Sequence, residues 1–403
     1  MNGTKITPSK RTENVRYAIR DIAVLAAQVA KTGKEMLYIN IGDPNVYDWN
    51  TPKHIIDATY KAMLDNHNGY SPSSGIPAAV KAIEEYANRN GIDNILDIFV
   101  TTGGSEAIEL CLTALLNPGD NFLMPTPGYP LYSAVESKIE AIPNPYYLDE
   151  KNGWQPDIED IASRINSKTK AIVLINPNNP TGSVCKKETL LKVIDLALKH
   201  NLVILADEIY DKMIFDDAEM ISIASLNKDV SCITFNGISK NYIAPGWRLG
   251  WGVVSGRQEI MEDYIEAINK LLRARLCANH PEQYGLVAAL TGSQAHIPEM
   301  NERLMRRRNL TLDLIKDIKG IEVVKPEGAF YAYASIDVQD DTHFCNELIK
   351  ETGVVTVPGS GFGKKDGSNY LRYVILPDER TLESAFKKIA TFYSKYKNDI
   401  EKP

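Results

Sequence analysis

The sequence is poor in the residues that build disulfide frameworks and metal centres. Its 403 residues hold five cysteines and six histidines. Cys111, Cys185, Cys232, Cys277 and Cys345 are scattered, odd in number and never spaced C-x-x-C. That usage points to reduced thiols and a cytoplasmic setting. The histidines form no H-E-x-x-H run and no Cys/His cluster, so no catalytic metal is expected. No apolar run approaches the ~20 residues of a membrane-spanning helix. The first residues lack the apolar stretch of a secretory signal. No basic tract stands out against a net charge of −7, so neither a membrane nor nucleic acid is an expected partner.

What is present is an ordinary globular composition, 44% hydrophobic and 24% charged, able to bury a large core. At ~150 residues per domain the length implies two or three domains. Residues 1–15 are polar and read as an arm. Ile22, Leu25, Ala26 and Val29 share one helical face. MLYINIGDP (36–44) reads as a strand running into a turn, and helices follow near 52–66 and 76–90. From residue 98, near-continuous apolar strands (98–103, 121–127, 170–177, 201–208, 232–237 and 250–255) alternate with helical stretches such as 104–116, 130–137 and 186–200. This is the pattern of an α/β fold with a mostly parallel sheet covered on both faces. Residues 258–315 are helix-rich. Strands and a final helix near 379–397 then suggest a smaller α+β domain. The expected division is an arm and helix at 1–45 that join the small domain, a large domain at 46–290, and the small domain at 291–403.

The chemistry concentrates in FNGISKNYIAPGWRLGW (235–251). Lys240 ends a Ser-containing turn, and Arg248 returns after a Pro-Gly turn. A lysine amine condenses with an aldehyde, and an arginine fork grips a phosphate. Pyridoxal 5'-phosphate carries both groups. It would also need a counter-charge at its ring nitrogen, donors at its phenolate oxygen, a phosphate cradle and a stacking face. Asp207 ends the apolar strand NLVILADE, where α/β sheets bind ligands; an N-cap is the plain alternative. Tyr210 lies three residues on, a phenolate donor or a core tyrosine. Asn179 sits in the turn NPNNPTG (176–182). TTGGSEAI (101–108) joins a strand to a helix, and the backbone N–H groups of Gly104, Ser105 and Glu106 would face an anion there. Tyr129, in TPGYP, is a stacking ring or a core aromatic. Arg372, in the apolar strand YLRYVIL, demands a carboxylate, from a substrate or from the protein itself.

Together these segments resemble the class I/II pyridoxal-phosphate aminotransferases of fold type I, over about residues 11 to 396. The order IGDP, GYSPSSG, TTGGSEA, PGYP, NPNNPTG, ADEIY, SK with Arg248 beyond it, and YLR carries the resemblance. It implies a large domain with a mostly parallel seven-stranded sheet and a smaller α+β domain. It implies Lys240 as the Schiff-base lysine, Asp207 at the ring nitrogen, and Tyr210 and Asn179 at the phenolate oxygen. Tyr129 would be the stacking ring, and Arg248, Ser105 and Ser239 the phosphate ligands. Arg372 would clamp the substrate carboxylate, lined by Gly42 and Asn179. Tyr70 is similar to the tyrosine that reaches across a homodimer to the partner's phosphate.

ENVRYAIRDI, ADEIYDKMIFDDAE, RLCANHPEQYG and VVTVPGSGFG resemble the microbial alanine branch. There the residue matching Tyr17 covers a small side-chain pocket, which implies alanine and 2-oxoglutarate as substrates of a ping-pong transfer. Two positions depart from the pattern. Gly237 stands where many relatives carry a phosphate-binding Ser, and His280 stands at a usually apolar position. Transfer from aspartate, aromatic or branched-chain donors, and C–S β-elimination, share the same apparatus. So does a non-catalytic ligand-sensing module, against which the full Lys240/Asp207/Arg248 set argues.

Overall fold

A computed structural model describes residues 5–13, 15 and 18–399. Its central feature is an eight-stranded sheet, in the order Ile95–Thr101, Gly250–Ser255, Cys232–Gly237, Val203–Asp207, Thr169–Ile175, Asn121–Thr126, Asn144–Asp149 and Gln155–Pro156. The five strands from 232–237 to 144–149 are mutually parallel. Gly250–Ser255 runs antiparallel to both of its neighbours. The eighth strand, one more than expected, is a two-residue antiparallel addition at Leu148 and Asp149. Its brevity and its proline conceal it in the sequence.

Along the strands, alternate side chains enter opposite layers. Ile172 and Leu174 pack with the helices Pro77–Arg89 and Lys187–His200. Ala171, Val173 and Ile175 pack with Gly104–Leu115, Leu131–Lys138 and Gln258–Ala274. Both faces are dry, so each fully buried Ile or Val contributes ~1.5–3 kcal/mol.

A separate core forms around a four-stranded antiparallel sheet of Ile321–Val323, Tyr331–Ile336, Tyr370–Val374 and Val357–Pro358. The helices His296–Ile315, Asp341–Thr352 and Glu379–Asp399 cover it, and Ala18–Ala30 packs against it. In the stretch 36–44, read as a strand running into a turn, the strand is Leu37–Tyr38, which pairs in parallel with Val354–Val355. Ile39 continues the pairing, donating to Val355 O at 3.1 Å and accepting from Val374 N at 2.8 Å, and residues 40–43 then line a cavity beside the large sheet.

Candidate active site

Strand direction decides where the chemistry gathers. The parallel strands ending at Thr126, Ile175, Asp207 and Gly237 all finish at one edge of the sheet. Because Gly250–Ser255 is reversed, its beginning lies at that same edge, with Gly250 opposite Gly237 and Thr101 opposite Gly250. Lys240 and Arg248 therefore flank one turn, and the helix beginning at Gly104 starts beside them. A cavity of about 660 Å³ opens there. Gly42, Gly104, Ser105, Tyr129, Asn179, Asp207, Tyr210, Ser239, Lys240, Arg248 and Arg372 all line it. A larger cavity of about 910 Å³ shares Tyr129 but holds none of the other sequence-predicted residues. The charged groups, not the volume, identify the site.

Lys240 is half-buried, and its Nζ donates to Gly42 O at 2.7 Å. The ammonium stands 5.5 Å from the centre of the Phe330 ring. Burial pulls its pKa down to about 8, helped by the Arg372 and Arg248 cations and opposed by Asp43 and Asp207. A neutral, nucleophilic amine is thus accessible near neutrality.

Asp207 is 6% exposed. Its Oδ2 accepts from the Tyr132 hydroxyl at 3.2 Å, and its Oδ1 from the Ile209 N–H at 3.4 Å. Burial raises its pKa to about 6, against these two hydrogen bonds and the Lys240 charge. The Tyr210 hydroxyl lies 3.0 Å from that of Tyr331, and its ring meets Phe330 edge-on at 5.4 Å.

The opposite end of the cavity is built for an anion. Gly103 caps the helix Gly104–Leu115 with φ 81°. A Cβ there would fall 2.5 Å from Arg248 Nη2, so only glycine leaves room for the guanidinium. Arg248 takes a left-handed φ of 53° and donates through Nη1 to Pro245 O at 2.9 Å. Ser105 and Ser239 line the same cavity. The helix N-terminus and the cation together suit a phosphate.

Glu106 departs from expectation. Its N–H already donates to Gly103 O at 3.1 Å. Its carboxylate accepts from Thr102 N at 2.7 Å and faces Arg275 at 3.5 Å, away from the cavity lining. The first-turn geometry uses this amide inside the helix, so Gly104 and Ser105 remain at the cavity and Glu106 shapes the turn.

Arg372 is 1% exposed and sits opposite Tyr333 in the small sheet. Its guanidinium lies 4.7 Å from the centres of both the Tyr331 and Phe362 rings. Nη2 donates to Asn40 O at 2.6 Å, and Nη1 to Asn179 Oδ1 at 3.4 Å. Asn40 Oδ1 is buried beside it without a hydrogen bond.

The aminotransferase class I and II family model matches residues 34–389. The chain belongs to the class I and II aminotransferases. It is 39% identical to the glutamate-pyruvate aminotransferase AlaA of Escherichia coli (strain K12), over 97% of this chain and 98% of that protein. It is 38% identical to the alanine aminotransferase of Mycobacterium tuberculosis (strain ATCC 25618 / H37Rv), over 96% and 93%. The solved alanine aminotransferase from Pyrococcus furiosus superposes with a TM-score of 0.94 at 39% identity, covering 96% of this chain and all of that one.

The remaining described positions of this aminotransferase fall outside its own cavity. Tyr70 is 83% exposed and does not line it. Tyr17 lies outside the described residues. His280 Nδ1 is 2.9 Å from Gly69 O, beside Tyr70. Gly237 has a steric reason: a Cβ would meet Leu249 O at 2.8 Å, because the turn closes tightly there. Sequence reading missed Tyr132, Tyr331, Asn40 and Asp43. No sequence pattern marks Tyr132, a fully buried tyrosine of the helix Leu131–Lys138 that looks like a core aromatic. Among the described residues no helix is long and apolar enough to cross a membrane, and no group of acidic, His or Cys side chains is placed to hold a metal.

Proposed function

We propose that this aminotransferase transfers the amino group of L-alanine to 2-oxoglutarate, giving pyruvate and L-glutamate, with pyridoxal 5'-phosphate as its cofactor. The observation that carries the reading is a half-buried lysine amine that shares one cavity with a buried carboxylate and an arginine-plus-helix anion cradle. The donor set fits the cofactor. Asp207 suits a protonated ring nitrogen, Tyr210 and Asn179 a phenolate oxygen, and Tyr129 a ring face. Gly104, Ser105, Ser239 and Arg248 suit the phosphate, and Lys240 the aldehyde. Bound there, pyridoxal phosphate supplies the electron sink that makes the substrate Cα proton acidic.

The protein's own residues do the rest. Arg372 holds the substrate α-carboxylate through a charged fork, with Gly42 and Asn179 beside it. Lys240 Nζ then takes the Cα proton from a positioned neighbour rather than from a chance encounter. Asp207 keeps its charge against the ring nitrogen. The same carboxylate grip serves the amino acid and the oxo acid, as an alternating cycle requires. The curated names of relatives at 38–39% identity support alanine and pyruvate.

On this reading residues 46–290 form the cofactor-binding domain, and 291–403 with 1–45 form the smaller one. The pairing of Leu37–Tyr38 with Val354–Val355 supports the latter. The exposure of Tyr70 supports a homodimer in which it serves the partner's phosphate, and Tyr17 would cover the side-chain pocket. Five free cysteines, four of them buried, support a reducing, cytoplasmic setting.

The test is a panel of amino donors against 2-oxoglutarate, with borohydride trapping and peptide mapping. Alanine should lead the panel, and the label should fall on Lys240. Labelling elsewhere sinks the site assignment. Ammonia release without an oxo-acid acceptor would make the protein a lyase.

A further inference from the structure

Behind the cleft lies a buried polar cluster that none of these roles uses. Asp211 follows Tyr210 and is 6% exposed. Its Oδ1 accepts from Asn241 Nδ2 at 2.6 Å, and its Oδ2 from the Tyr86 hydroxyl at 2.5 Å. Lys212 Nζ stands 3.8 Å off. Asn241 follows Lys240 and is fully buried. Its main-chain oxygen lies 2.9 Å from His296 Nε2. Tyr86 comes from the helix Pro77–Arg89 and meets Trp251 edge-on at 6.0 Å. Trp251 belongs to the strand whose start places Arg248.

One carboxylate thus ties together three pieces of chain. One piece carries Asp207 and Tyr210, one carries Lys240, and the third packs on the strand after Arg248. We propose that Asp211 and Asn241 are positioning residues for Lys240: the Asp211–Asn241 hydrogen bond fixes the peptide that carries the lysine, and so aims its amine across the cleft. The geometry favours this over simple core filling. Lys240 lies in a turn, where sheet hydrogen bonds do not fix its direction, and the adjoining main-chain bond of the turn, Ile243 N–H to Lys240 O, is 3.2 Å long. The side-chain bond at 2.6 Å is shorter and charge-assisted. It also joins Lys240 to the segment that carries the groups it must work with. Side-chain aim of this kind decides whether a reacting amine reaches its target.

The inference rests on Lys240 being the reactive lysine, as proposed above. The experiment therefore compares wild type, Asn241→Ala, Asp211→Ala and Asp211→Asn as full-length proteins. Three quantities are read: thermal melting, steady-state transamination, and the pH dependence of Lys240 labelling by trinitrobenzenesulfonate in cofactor-stripped protein. That reagent attacks neutral amines and is followed by peptide mass spectrometry.

Asn241→Ala and Asp211→Ala should lose at least about tenfold in kcat with KM within about twofold. The half-point of Lys240 labelling should move up toward that of surface lysines. Asp211→Asn keeps one acceptor for Asn241 and should recover most of both. Folded alanine variants with wild-type kcat and wild-type labelling would overturn the proposal. So would a loss of melting temperature alone, with kcat per folded molecule unchanged. If Asn241→Ala does not fold, Asn241→Thr, which keeps a shorter donor, is read by the same criteria. A wild-type protein whose cofactor is not trapped on Lys240 is a different failure, that of the functional assignment itself.

Discussion

In cofactor-stripped protein, Lys240 should react with trinitrobenzenesulfonate at a rate that is half-maximal near pH 8, because burial holds its pKa at about 8. An ordinary lysine titrates near ~10.4, so at pH 7 roughly 0.04% of such amines are neutral. With the value of this site roughly a tenth are neutral, an enrichment of roughly 200-fold. The charges around the amine give opposite-signed controls. Asp43 stabilises the ammonium, so Asp43→Asn should lower the half-point; Arg372 repels it, so Arg372→Gln should raise it. Both shifts should be smaller than the effect of burial, the largest influence on this group. Peptide mass spectrometry across pH 6–11 reads Lys240 against an exposed internal standard, such as Lys53. A half-point at or above about 10, or two variants that shift it the same way, would refute the reasoning.

Other substitutions test neighbouring parts of the site. Arg372→Ala should lower kcat/KM roughly 10- to 100-fold for both amino and oxo acids, the worth of a charged hydrogen-bonded contact, while the cofactor stays bound; unchanged kinetics would make the arginine structural. Burial raises the Asp207 pKa from its ordinary ~3.9 to about 6, so the cost of its buried charge is absent below pH ~4 and complete above pH ~6. Asp207→Asn should therefore stabilise the cofactor-free fold at pH 8 by up to ~3 kcal/mol while crippling transamination; denaturant melts at pH 4 and pH 8 check the sign. Gly237→Ser should cost ~1–3 kcal/mol through overpacking against Leu249, also read by denaturant melts.

Much of this was legible in the chain because the site sits on loops at strand ends. An apolar run closed by Asp207 or by Asn176–Pro177 announces both the strand and its functional end. The strand Asn144–Asp149 was illegible because its Asn-Pro start and paired tyrosines break the apolar pattern, although Tyr146 is wholly buried. Tyr132 and Tyr331 look like core aromatics in sequence. Only the fold brings their hydroxyls to Asp207 and Tyr210. Glu106 failed for a local reason, since a first-turn amide can be used within its own helix. The Asp211–Asn241 link joins residues thirty positions apart, and no periodicity reports such a pair.

The reversed strand Gly250–Ser255 makes the interval from Lys240 to Arg248 a mechanical constant. The two side chains sit in the loop that closes one hairpin, whose last paired residues are Gly237 and Gly250. Slipping either limb by a single residue would turn its side chains to the far side of the sheet. Loop grafting should therefore not tolerate length changes between 238 and 249.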